Sequence, residues 1–210
     1  MMKVSRRQFI ATTAVGASVS VGSRFARSAD PGDVFDFTKP LSGWETISGN
    51  WTVEDVPGAS RSGRALVQRA TDNEYNVIVA PGGPYRAVTV SVRFKPISGS
   101  EDASGGIVVR FSEGRYYVVR ANALEDNFRF YYYDRARHML ASANASAPSL
   151  GQWHKLQITA RGDRFQASLN DRELIDHRDD RFAVGRIGLW TKTDSVTAFD
   201  ALTVVPIDAG

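Results

Sequence analysis

Residues 88–95 read Val-Thr-Val-Ser-Val-Arg-Phe-Lys, an alternation of apolar and polar side chains that holds over eight positions. Successive side chains of a strand point to opposite faces, so a period of two predicts one buried face and one wet face. Valine and phenylalanine, which favour strands, occupy all the apolar positions. The stretch therefore predicts a half-buried β-strand, and a sheet built from such strands needs a second layer over its apolar face.

Short β-like runs separated by turn residues continue along the chain from Val34 to Val205. Besides 88–95, we predict strands at 34–37, 51–53, 65–67, 75–80, 106–111, 116–121, 127–133, 153–160, 165–169, 185–191 and 197–205. Their spacing of roughly 8–15 residues is typical of a β-sandwich. About a dozen antiparallel strands expose the fewest edges as two packed sheets. The predicted fold is therefore all-β, a two-sheet antiparallel β-sandwich of the jelly-roll kind.

Residues 30–210 are expected to form a single domain. No Pro-rich or Ser-rich run, charge block or internal repeat divides them, and their number is ample for one substantial core. The sequence contains no cysteine. Disulfides, thiolate metal ligands and a cysteine nucleophile are therefore excluded.

The first 29 residues have the order of a bacterial export signal. Arg6 and Arg7 precede an uncharged stretch from Phe9 to Gly22, and small residues follow up to Ala29. The arginine pair indicates the twin-arginine route, and the uncharged stretch is shorter than the ~20 residues that span a bilayer. We expect residues 1–29 to be a cleaved twin-arginine signal peptide. The remaining protein would be periplasmic or secreted, with no stable membrane anchor.

Removal of this segment reverses the sign of the net charge. The whole chain carries +3 and residues 1–29 carry +5 without any acid, so residues 30–210 carry −2. The basic isoelectric point thus belongs to the signal peptide and is no argument for a nucleic-acid partner, which we do not expect. The oligomeric state stays open.

Several motifs resemble a known family. They are Gly-Asn-Trp-Thr-Val at 49–53, Gly-Gln-Trp-His-Lys-Leu at 151–156, Ala-Arg-Gly-Asp-Arg-Phe at 160–165 and Phe-Ala-Val-Gly-Arg-Ile-Gly-Leu-Trp-Thr-Lys at 182–192. Together they resemble the concanavalin A-like (laminin G-like) jelly rolls, especially the bacterial exported 3-keto-disaccharide hydrolase or family 16 glycoside hydrolase-like domains. The resemblance spans nearly all of residues 34–205 and implies their fold. It says less about function, because that fold hosts lectins, glycosidases, lyases and adhesion modules.

The sequence leaves enzymatic activity open. Family 16 enzymes place their two carboxylates on alternate positions of one strand, and this chain lacks that pattern. Asp126 is the remaining candidate acid. No cofactor is expected other than calcium, for which Asp36 near the first strand and Asp200 near the last are candidates, since terminal strands often pair. The alternative that Asp200 caps a turn is favoured.

Strand alternation also predicts a binding face. If Val109, Phe111, Val119, Phe130 and Leu189 face the core and their strands share one sheet, their neighbours face outward. The outward set is Arg110, Arg120, Asn122, Arg129, Tyr131, Tyr133 and Trp190. Aromatic rings stack on sugar rings, and guanidinium and amide groups bind hydroxyls, although the same residues also suit any exposed sheet.

The resemblance favours the first interpretation of this face, a glycan or small sugar bound on the concave sheet. The function expected is therefore an exported carbohydrate-binding domain. Two alternatives stay open: a hydrolase or lyase that acts on 3-keto-glycosides, and a structural interaction module without a small-molecule ligand.

Overall fold

The computed structural model describes residues 32–60 and 62–208, and β-strands form most of this part of the chain. No helix occurs among the described residues, and hence none with the length and apolarity of a membrane span. The strands of the described part are β1 (Asp33–Phe35), β2 (Glu45–Ser48), β3 (Trp51–Asp55), β4 (Arg64–Gln68), β5 (Tyr75–Val79), β6 (Val88–Ser98), β7 (Ser104–Ser112), β8 (Arg115–Asn122), β9 (Glu125–Asp134), β10 (Ala136–Asn144), β11 (His154–Arg161), β12 (Arg164–Leu169), β13 (Arg172–Arg178), β14 (Arg186–Lys192) and β15 (Val196–Pro206). The predicted signal peptide at residues 1–29 lies outside the described residues.

The strands form two antiparallel sheets. The seven-stranded sheet has the order β10-β9-β8-β7-β14-β5-β2, and the eight-stranded sheet has the order β13-β12-β11-β6-β15-β4-β3 with β1 paired to β15. Strands far apart in sequence, such as β7 and β14, are neighbours, as the long crossovers of a jelly roll require. The predicted two-sheet antiparallel β-sandwich is confirmed.

The core lies between the inner faces of the two sheets. The four apolar side chains of residues 88–95 are buried there, as their alternation predicts. They meet Ile107, Val119, Phe130 and Leu189 of the seven-stranded sheet. One face of each strand thus packs in the core, and the opposite face of the seven-stranded sheet lies outside it.

Three strands were not predicted, and all three lie at the end of a sheet. These are β2 and β10 at the two ends of the seven-stranded sheet and β13 at one end of the eight-stranded sheet. Edge strands in proteins carry more polar and charged side chains, which discourages pairing with other chains. Their apolar alternation is therefore weak, and a method that depends on alternation misses them.

A β-bulge reverses the alternation near the end of β7. The register of β7 against β8 shifts between Val109 and Ser112, and Arg110 has a φ of 56°. Beyond the bulge Phe111 packs on the outer face of the sheet, whereas the Arg110 guanidinium stacks on the core residue Phe165. The prediction that Arg110 faces outward and Phe111 inward is therefore wrong, because the bulge adds one residue to this strand.

Candidate functional site

The outer face of the seven-stranded sheet carries a continuous row of five aromatic rings, which we call the aromatic row. Phe111 stacks with Tyr116, with 6.1 Å between ring centroids, and Tyr116 stacks with Tyr133 at 5.0 Å. Tyr133 meets Tyr75 edge-on at 5.7 Å, and Tyr75 stacks with Trp190 at 5.7 Å. Because the five rings contact one another, they form a second apolar cluster outside the main core.

Tyr75 and Tyr133 form a roof over this face. They belong to β5 and β9, which are four strand positions apart in the sheet order, or about 19 Å at the usual strand spacing. The two half-buried side chains therefore lean toward each other across the strands between them. The roof covers Trp190, which faces outward as predicted but is 0% exposed.

Arg137 of β10 completes the roof. Its guanidinium carbon lies 4.4 Å from the ring centroid of Tyr131 and 5.5 Å from that of Tyr75. Burial raises the pKa of Tyr75 to about 12, with a hydrogen bond to Glu74 acting in the same direction. Burial likewise raises the pKa of Tyr116 above its usual range. Both phenols are therefore neutral hydrogen-bonding groups at physiological pH.

A polar cluster on β8 and β9 lies on the same face. The Glu125 Oε2 atom accepts hydrogen bonds from Arg120 Nη2 at 2.7 Å and Asn127 Nδ2 at 2.9 Å, and Arg129 Nη1 is 3.4 Å away. Burial alone would raise the pKa of Glu125, but the bonds from Arg120 and Asn127 outweigh it and hold that pKa below its usual value. Glu125 is therefore ionised, and it holds the two arginines on one face of the sheet.

In the described part of the chain, most of the buried side-chain polar atoms without a hydrogen-bond partner lie on this face. Among the described residues, seven buried side-chain nitrogen or oxygen atoms have no hydrogen-bond partner. One is Arg110 Nε, and the other six belong to the outer face: Arg120 Nη1, Asn122 Nδ2, Asn127 Oδ1, Arg129 Nε, Arg137 Nη1 and Trp190 Nε1. Buried polar groups in native proteins almost always have a partner, which is protein, ordered water or a ligand, so these atoms can bind ordered water or a ligand.

The structure brings six of the seven predicted site residues onto one face. These are Arg120, Asn122, Arg129, Tyr131, Tyr133 and Trp190. Arg120, Asn122, Tyr131 and Trp190 are buried, although the alternation suggested that they are exposed. Arg110 does not join them. Its guanidinium donates to backbone oxygens of Phe182 at 2.6 Å and Arg86 at 3.3 Å, which ties segments outside the sheet to the core.

Sequence reasoning missed three contributors, Tyr75, Glu125 and Arg137. Arg137 lies on an unpredicted edge strand, and Glu125 precedes the predicted strand at 127–133 although it begins β9. Tyr75 lies on a predicted strand. It shares one face of that strand with the buried Val77 and Val79, and this spacing of two was the available signal that it faces the same cluster. That signal could not show that β5 lies beside β14.

Asp126, the candidate catalytic acid, is not part of the cluster. It is exposed, and its Oδ1 atom accepts a hydrogen bond at 3.0 Å from the backbone nitrogen of Ala147. Strand alternation places it on the opposite side of β9 from Glu125. Its observed contact holds the loop after β10, so the candidate acid does not lie beside the predicted binding face.

The two calcium candidates have other partners. The Asp36 carboxylate caps its own turn by accepting from the backbone and hydroxyl of Thr38. The buried Asp200 carboxylate accepts from Ser60 and pairs with Arg93 at 3.0 Å, which supplies the positive charge that a cation would bring. No group of three or more potential ligands among histidines and acidic residues occurs in the described parts of the chain. Asp200 is therefore a poor metal ligand.

The fold and this face together define a jelly-roll β-sandwich domain with a clustered aromatic and polar surface on one sheet. The chain belongs to the family described as the 3-keto-alpha-glucoside-1,2-lyase-like domain, whose model matches residues 30–205. The sequence resemblance to this group is thereby confirmed.

Related proteins share the fold at low sequence identity. The carbohydrate-binding module CBM66 from Bacillus subtilis superposes with a TM-score of 0.66 at 22% identity, covering 79% of this chain and 97% of the module. A β-glucanase from Bacillus licheniformis superposes with a TM-score of 0.57 at 11% identity, covering 84% and 98% of the two chains.

A levanase from Bacillus subtilis (strain 168) is similar in sequence. It is 24% identical over 165 residues, which is 75% of this chain but 22% of the levanase. The chain thus spans about a fifth of the length of that relative.

Proposed function

We propose that the protein is a carbohydrate-recognition domain that binds a sugar on the outer face of the seven-stranded sheet. The observation that carries the proposal is the concentration of six buried, unpaired polar atoms beside the aromatic row. A sugar offers both an apolar ring face and hydroxyls, so it suits aromatic rings next to guanidinium and amide groups. Relatives named as a carbohydrate-binding module and as a levanase support the proposal.

The roof has to move for a ligand to reach the unpaired atoms. It consists of the side chains of Tyr75, Tyr133 and Arg137, held by an aromatic contact and by cation–π contacts. Each such contact contributes only about 0.5–1.5 kcal/mol. A ligand that pairs several of the buried donors offsets that cost, so side-chain rearrangement without backbone motion is sufficient.

Substitution of half-buried members of the face tests the proposal. We expect Arg129→Ala and Tyr133→Ala each to weaken oligosaccharide binding by roughly tenfold, because each removes a charged hydrogen bond or a stacking ring. Isothermal titration calorimetry against oligosaccharides selected on a glycan array would measure this. Arg164→Ala is the matched control, since Arg164 pairs with Asp176 on the other sheet. Binding by both variants at the wild-type affinity would contradict the proposed site.

Elimination from a 3-keto-glycoside is the second candidate function, and the polar cluster favours it in one respect. Glu125 is an ionised carboxylate beside two arginines with unpaired donors. The carboxylate could accept the proton from the carbon next to the ketone, and the arginines could stabilise the enolate oxygen that results. Collapse of the enolate breaks the glycosidic C–O bond on the adjacent carbon, and the departing oxygen takes a proton back from Glu125 to leave as a hydroxyl. Turnover of a 3-keto-disaccharide that Glu125→Gln abolishes would support this function over plain binding.

We also propose that the protein works in the periplasm or outside the cell, delivered by the twin-arginine segment. The support is the order of Arg6, Arg7, the uncharged stretch and the small residues. Changing both arginines to lysine should leave the longer precursor in the cytoplasm, as immunoblots of cell fractions would show. Unchanged export of the double variant would exclude this route.

A further inference from the structure

We infer that the outer face selects sugars that carry a carboxylate, such as uronic acids. The inference rests on the proposed function and adds the chemical class of its ligand. Two features of the face carry it: an excess of unpaired donors over acceptors and an excess of positive over negative charge.

The unpaired atoms are almost all donors. Arg120 Nη1, Asn122 Nδ2, Arg129 Nε, Arg137 Nη1 and Trp190 Nε1 can only donate, whereas Asn127 Oδ1 alone accepts.

The two amides are oriented by their own contacts. Asn122 Oδ1 accepts from the backbone nitrogens of Ala103 and Leu124, at 3.1 and 3.0 Å, and Asn127 Nδ2 donates to Glu125. Their free atoms are therefore a nitrogen in Asn122 and an oxygen in Asn127. Five donors against one acceptor favour an acceptor-rich ligand, and a carboxylate offers two oxygens that only accept.

The net charge of the polar cluster also favours a negatively charged ligand. Arg120 and Arg129 lie directly opposite each other on β8 and β9, an arrangement that is unfavourable for like charges. Glu125 is the one acid bonded to both, so the pair keeps one uncompensated positive charge. A carboxylate from the ligand would supply the second negative charge, and guanidinium groups bind carboxylates in a fixed two-bond geometry.

The other charges around the face do not remove this excess. Arg137 adds a third guanidinium, which Glu74 beside Tyr75 partly offsets. At the rim Lys192 pairs with Asp102 at 3.3 Å, so the two cancel. Because residues 30–210 carry a net charge of −2, the positive face is a local feature that the overall composition does not produce.

Two ligands that differ only in their carboxylates test the inference. We expect trigalacturonate to bind about tenfold or more tightly than its fully methyl-esterified form by calorimetry, since a charge-assisted hydrogen bond is worth at least that factor. The preference should shrink when sodium chloride rises from about 50 to 500 mM, because salt screens charge pairs near the surface. Arg129→Gln should remove most of the preference, and Arg164→Gln should retain it.

A Glu125→Gln variant separates a loss of specificity from a loss of folding. Removing the competing carboxylate should strengthen trigalacturonate binding several-fold, which misfolding cannot do. Equal or tighter binding of the ester would overturn the carboxylate inference while leaving sugar recognition intact, as would weaker acid binding by the Glu125 variant. Binding of neutral fructan or glucan oligosaccharides without binding of trigalacturonate would also overturn the carboxylate inference and leave sugar recognition intact. Failure of every probe to bind would overturn the proposed function as well.

Discussion

Trp190→Ala is expected to destabilise the domain by about 3–5 kcal/mol, the usual cost of removing a fully buried large aromatic side chain. Trp190 is 0% exposed, and Tyr75 stacks on it while Val77 and Val108 pack in the same cluster. The lost ring would leave a cavity under the roof, since its neighbours are fixed on the flanking strands β5 and β7. For a domain of this size the midpoint of thermal unfolding should fall by roughly 10 °C, measured by calorimetry.

Trp153 provides the matched comparison for this experiment. It is partly exposed on the other sheet, where the guanidinium of Arg93 lies 4.7 Å from its ring centroid. Trp153→Ala should therefore cost only about 1–2 kcal/mol. A Trp190→Ala protein that unfolds at the wild-type temperature and has lost sugar binding would contradict this view. Trp190 would then be an accessible platform for the sugar, as strand alternation alone suggests.

The difference between these two outcomes shows what strand alternation can and cannot predict. Alternation correctly assigned Trp190 and Tyr131 to the face opposite the core. It carries no information on what lies above that face, because the roof joins β5 and β9, which the strand order separates by three other strands. Exposure of a side chain depends on such long-range pairings, and a single sequence does not contain them in readable form.

The fold was easier to predict than the site for a physical reason. Burial of one face imposes alternation on every interior strand, so residues 88–95 and their counterparts in β8 and β9 predict a sandwich independently of one another. A bulge needs only one extra residue, and nothing in Val109-Arg110-Phe111 distinguishes it from regular alternation. That single residue decided whether Arg110 belonged to the outer face or to the core.

The polar cluster shows the same limit in another form. Glu125 and Arg129 are four residues apart, a separation that has no special meaning in a strand but becomes a contact here because β9 begins next to a bulge. The acid next to it, Asp126, faces the other way and binds a loop. Which of two adjacent acids belongs to a site is set by the register of one strand, since a shift of one residue exchanges the faces.

Arg120→Met is expected to abolish most sugar binding while leaving the domain folded. Arg120 is 2% exposed, and a methionine fills much of the space of its aliphatic stem. Glu125 would retain Asn127 and Arg129 and is itself 37% exposed in its side chain, so its charge would not be left buried and alone. We therefore expect a change in unfolding free energy of about 1 kcal/mol or less.

The effect of this substitution on binding should be far larger. It removes the buried unpaired donor Nη1 and one of the two guanidiniums that face each other. Loss of a charged hydrogen bond corresponds to a roughly 100-fold weaker affinity, or about 2.7 kcal/mol, measured by calorimetry beside an Arg164→Met control. Wild-type affinity in Arg120→Met would show that the buried donors serve no ligand. Arg120 would then have the structural task of holding Glu125 and the start of β9 in place, and the sugar would contact only the roof.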